Sequence, residues 1–76
     1  MDKTGKAEII SIGDELLIGQ VVNTNASWMA EQLSDSGIYL QRIVTIADEP
    51  KALSDALSDA ISRTQFVLLT GGLGPT

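Results

Sequence analysis

Apolar residues in this chain switch repeatedly between strand-like and helix-like spacing, and that alternation restricts the possible folds more than any other feature. Ala7-Glu8-Ile9-Ile10-Ser11-Ile12 is a short β-branched run closed by Gly13, as suits a central strand. From Asn23 the spacing becomes helical, with Ala26, Met29, Ala30 and Leu33 at i, i+3, i+4 and i+7. Asn23, Thr24 or Asn25 can cap the start of this helix, and Gly37 stands where a C′ glycine belongs. Ile38 to Ile46 is β-rich, with Leu40, Val44 and Ile46 assigned to one face and Gln41 and Thr45 to the other. Asp48-Glu49-Pro50 then opens a second helix, because acidic residues and proline favour the first turn. Leu53, Ala56, Leu57, Ala60 and Ile61 form its buried stripe, and Phe66-Val67-Leu68-Leu69 is a third strand.

The order β-α-β-α-β with short loops after both helices predicts an α/β fold. Its sheet is mostly parallel, covered by helices in three layers and joined by right-handed crossovers. The chain has 76 residues, enough for one domain. Chains of this size bury only about 60% of their unfolded surface, so stability is marginal without help. Residues 1–6 read as a polar N-terminal extension and 7–76 as the N-terminal part of a doubly wound domain, incomplete at its C-terminal end. A lone monomer is the least stable choice, which makes a homo-oligomer the expected state.

Composition removes several functions. There is no cysteine and no histidine, so disulfides, thiolate chemistry and the commonest metal ligand and general base are absent. Any metal is then a hard divalent ion on carboxylate and amide oxygens, Mg²⁺ or Mn²⁺. Asp plus Glu number 10 against 5 Lys plus Arg, and no basic run exists, so no nucleic-acid partner is expected. Apolar runs such as Leu16-Leu17-Ile18 are too short to span a bilayer, and no signal-type segment follows the polar N-terminus. A cytoplasmic location is the default, with no membrane partner.

In open α/β sheets, ligands bind beyond the carboxyl ends of the strands. Here those ends carry Gly13-Asp14-Glu15, Asp48-Glu49 and Thr70-Gly71-Gly72-Leu73-Gly74. Two acidic pairs and a glycine-rich loop on one rim make a place for a metal and a phosphate. Each piece also has a plainer reading. The glycines Gly71, Gly72 and Gly74 can form a simple tight turn, since neither a Walker A loop nor a dinucleotide fingerprint is present. Asp48 can be a helix N-cap, Asp14 and Glu15 solvated turn residues, and Asn23 and Asn25 caps. Trp28 is expected to pack half-buried, although a purine or pterin could stack on it. The stretch from Asp14 to Asn25 is long for a βα loop, and its apolar middle suggests a lid, a partner contact or a cover for the core.

Gly13-Asp14-Glu15-Leu16-Leu17-Ile18-Gly19-Gln20-Val21-Val22-Asn23-Thr24-Asn25, together with Thr70-Gly71-Gly72-Leu73-Gly74-Pro75-Thr76, resembles the N-terminal domain of the competence/damage-inducible protein A (CinA) family. That domain belongs to the molybdopterin-binding, MoaB-like fold group, and the resemblance runs from about Ala7 to Thr76. It implies a divalent-metal-dependent ADP-ribose pyrophosphatase, or a non-catalytic module that binds molybdopterin; the third reading is an inactive fragment that pairs its open sheet edge with another copy. The small-molecule partner is accordingly a nucleotide or a pterin. Carried over by position, Asp48 is the catalytic acid, and Asp14 and Glu15 lie near the metal. Asn23, Asn25, Thr70, Gly71, Gly72 and Gly74 contact the substrate. Family members continue beyond Gly-Pro-Thr with an acidic pair and a helix, so the resemblance implies a site completed by residues further on.

Overall fold

A computed structural model describes residues 2–20 and 22–71 of the chain. Three parallel strands, β1 (Lys6–Ile12), β2 (Tyr39–Ile46) and β3 (Phe66–Thr70), form a sheet in the order β2-β1-β3. The helices are α1 (Asp14–Leu17), α2 (Thr24–Asp35) and α3 (Pro50–Arg63). β1 is central, and every residue from Ala7 to Ile12 is buried, as a β-branched run paired on both sides requires.

The two long helices lie on opposite faces. Ala7 and Ile9 pack with Ala26 and Leu33 of α2, whereas Ile10 and Ile12 pack with Ala60 of α3. Chain direction explains this. The first crossover runs from β1 out to β2 and the second returns across β1 to β3, so two right-handed connections must use opposite faces. The expected three-layer α/β fold is therefore present, with a parallel sheet throughout.

Helix ends follow local chemistry. The Asn23 side chain caps α2 by accepting from the Ala26 N–H at 3.2 Å. At the other end Ile38 N–H reaches Leu33 C=O and Gly37 N–H reaches Ser34 C=O, a Schellman closure with Gly37 at φ 77°. Leu33 and Ile38 share the same apolar cluster, the contact that accompanies such a closure.

Four expectations need correction. β2 does not keep one face from end to end. Its register with β1 shifts between Ala7 and Glu8, which pair with Leu40 and Arg42, so Gln41 is an extra residue. Leu40 therefore packs on the α2 face and Ile46 on the α3 face, not together. The cap of α3 is Glu49 rather than Asp48, and it makes no side-chain cap bond. Trp28 is not half-buried but 63% exposed, and Ile61, expected in the buried stripe of α3, is 57% exposed, leaving Leu53, Ala56, Leu57 and Ala60 to pack on the sheet.

Candidate functional site

The sheet order places a topological switch at β1 and β3. The connection leaving β1 goes to the α2 face, whereas β3 is reached from the α3 face, and a crevice opens beyond their carboxyl ends. β1 ends at Ile12, and Ser11 lies opposite Thr70 of β3. Gly71 follows with φ 82°, and a Cβ there would collide with the Ile12 carbonyl oxygen. Only glycine lets this backbone cross the end of β1 so closely.

A cavity of about 190 Å³ occupies that crevice. Its polar side is built by Asn23, Thr24 and Asn25 at the start of α2, with Thr70 and Gly71 from β3 and its turn. Ile12, Leu16 and Val22 make the apolar side, and Glu15 lines it as well. Five of the residues expected at the site, Glu15, Asn23, Asn25, Thr70 and Gly71, are thus brought together. Gly72 and Gly74 lie outside the described residues.

Asn23 is committed to the scaffold on both sides of its amide. Its oxygen accepts the Ala26 N–H, and its nitrogen donates to the Ser11 hydroxyl at 2.7 Å. Ser11 is fully buried on β1, so this bond pins the start of α2 to the central strand. Asn25, by contrast, is exposed at the lip of the cavity. Ser11 was not singled out from the sequence. Its signal is a lone hydroxyl in an otherwise apolar stretch on the face that carries Ile9.

The acidic residues divide. Asp14 opens α1, a single turn where the sequence suggested loop, and its carboxylate accepts the backbone N–H of Asp48 at 3.2 Å. Glu15 folds back, its carboxylate lying over Gly13. Asp48 lines a second cavity with Glu49, Pro50, Leu53 and Ile12, toward the α3 face. Ile12 separates the two. Among the described residues no group of three or more Asp and Glu side chains comes together to hold a metal ion. Also among them, no helix is long and apolar enough to cross a membrane.

Comparison with known proteins gives a consistent picture. Residues 8–76 match the model of a family described as "Probable molybdopterin binding domain". A CinA-like protein of Chloroherpeton thalassium is 57% identical over 70 residues, covering 92% of this chain and 17% of the relative. Protein PAE0875 of Pyrobaculum aerophilum is 53% identical over 72 residues, covering 95% of this chain and 27% of that protein. The chain thus spans roughly a sixth to a quarter of the curated relatives it matches. The crystal structure of CinA from Thermoplasma acidophilum, described as of unknown function, superposes with a TM-score of 0.94 at 32% identity. That match covers 99% of this chain and 44% of the other.

Proposed function

Since this chain belongs to the family described as the probable molybdopterin binding domain, in the form found in CinA-like proteins, we propose that its β1/β3 crevice binds the phosphate end of a small nucleotide or pterin. The observation that carries this reading is the seat of Gly71 on the Ile12 carbonyl, within one cavity with Asn25 and Thr70. The backbone N–H of Gly71 and the side-chain amide of Asn25, which line the same cavity, are hydrogen-bond donors suited to phosphate oxygens.

In the longer proteins the finer reading is hydrolysis of the pyrophosphate bond of ADP-ribose. Water adds to one phosphorus, the bridging P–O bond breaks, and AMP and ribose 5-phosphate leave. A divalent ion, when bound, neutralises charge on the phosphates and lowers the pKa of a bound water. Mg²⁺ commonly takes only one or two protein carboxylates and completes its shell with phosphate oxygens and water. Glu15 in the cavity and Asp14 beside the Asp48 backbone fit that sparse supply. Asp48 is the acid assigned to catalysis. Asp48 is exposed, so Asp48→Asn is expected to leave the fold intact; lost turnover in the full-length protein would support the catalytic role across Ile12, and turnover at the parent rate would overturn it.

The test is a phosphorus NMR time course of ADP-ribose with Mg²⁺, run on this chain and on a full-length CinA-like relative. New phosphomonoester signals support the hydrolase reading. Binding shifts without new signals in either sample favour the family description taken literally, a pterin- or nucleotide-binding module without cleavage. No shift and no turnover in either sample removes the crevice as a phosphate site.

A further inference from the structure

Size decides what the crevice can hold. At about 190 Å³ it is smaller than sites that enclose a whole ligand, which run to about 300–1,000 Å³. A phosphorylated nucleotide or pterin placed with its phosphate against Gly71 must therefore leave its ring system outside, along the lip. One side of that lip is the first turn of α2, Thr24 and Asn25. Trp28 follows them at i+4 and i+3, on the same face of the helix. Side chains on an α-helix lean toward its N-terminus and cover the turn before their own Cα. An indole inclined in this way would lean toward the turn that carries Thr24 and Asn25, two residues of the cavity wall.

Among the described residues, neither apolar cluster includes this ring. α2 packs on the sheet through Ala26, Met29, Ala30 and Leu33, and Trp28 stays 63% exposed. Val22, which lines the cavity, is itself 82% exposed and adds an apolar residue at its wall. A flat heteroaromatic ring leaving a phosphate-sized cavity here meets an aromatic face of matching size. The geometry points to Trp28 as the platform on which the heterocycle of the phosphorylated ligand stacks. This rests on the crevice being the phosphate site.

Trp28 is the sole tryptophan, so its fluorescence reports on the platform directly. The chain is titrated in Mg²⁺ with pyrophosphate, ADP-ribose and a pterin phosphate, with calorimetry for affinity. Pyrophosphate is expected to bind without quenching. ADP-ribose, the pterin or both quench the indole and bind about tenfold more tightly, the gain a base makes on an aromatic side chain. Whichever arm shows the gain identifies the ring. Trp28→Ala removes the gain, Trp28→Phe keeps most of it, and neither changes pyrophosphate affinity. Heterocycle affinity unchanged in Trp28→Ala overturns the platform and leaves the phosphate site standing. Failure of pyrophosphate to bind at all overturns the phosphate site and the platform with it. Quenching that follows protein concentration without ligand assigns Trp28 to a contact between copies, which also overturns the platform.

Discussion

Gly37 and Gly71 share a left-handed backbone but differ in what surrounds them, and the difference isolates what the crevice requires. An added methyl at Gly37 meets nothing within 4 Å, whereas at Gly71 it meets the Ile12 carbonyl. Gly37→Ala is expected to cost roughly 1–2 kcal/mol, the left-handed penalty of an L-residue. Gly71→Ala carries that penalty and a backbone overlap, adding about 1 kcal/mol or more and displacing the turn from β1. Urea midpoints for the two variants, with pyrophosphate affinity beside them, check this. Equal midpoints would mean that the Gly71 contact relaxes freely. The two asparagines separate in the same way. Asn23→Ala loses a cap worth about 1 kcal/mol and leaves the buried Ser11 hydroxyl without its partner, so the midpoint falls. Asn25→Ala, at an exposed position, is expected to shift stability by no more than about 0.5 kcal/mol while weakening pyrophosphate binding. Pyrophosphate affinity unchanged in Asn25→Ala would remove Asn25 as a ligand contact.

At the scale of elements, α3 is fixed to the sheet by more than its apolar stripe. Arg63 in its last turn donates from Nε and Nη2 to Glu8, whose side chain is 1% exposed on β1. Removing the guanidinium leaves a buried carboxylate without compensation, so Arg63→Ala is expected to cost about 3 kcal/mol. Glu8→Gln combined with Arg63→Ala should recover much of that loss, and a double-mutant cycle in urea measures the coupling. Additive single losses would show that the pair is not coupled. No sequence rule announces this pair, because its members are 55 positions apart and meet only once the crossover folds. The same limit explains the rest of what was legible. Strands and long helices were readable because each carries its own period over many residues. The face of Leu40 was not, since one extra residue at Gln41 inverts parity and only the pairing with β1 reveals it. α1 is four residues long, too short for any period to register. Trp28 misled by size alone. Its position, off the stripe of Ala26, Met29, Ala30 and Leu33, already placed it outside. At the site, the strand-end rule located Glu15, Asn25, Thr70 and Gly71 together. It could not see that Ile12 would part them from Asp48.

For the molecule as a whole, the open question is what its sheet edges do. β1 is paired on both sides, but among the described residues β2 and β3 each have an outer edge without a partner. A row of free N–H and C=O groups on an edge strand is a template for pairing with another chain. The two edges are not equivalent. β2 spans eight residues and carries Tyr39 at 65% and Ile43 at 47% exposure, whereas β3 spans five and starts at the less exposed Phe66. Longer pairing and more exposed apolar surface favour β2 as the edge through which copies of this chain associate. Sedimentation equilibrium over a wide concentration range should then give a mass that rises above 8.0 kDa. Ile43→Lys should return it to the monomer, since an edge lysine opposes a second strand, and should leave the urea midpoint nearly unchanged only at dilutions where the parent chain is itself monomeric. Phe66→Lys should not. A reversed pattern would move the contact to β3, and a constant monomer mass would show that this small core holds without a partner.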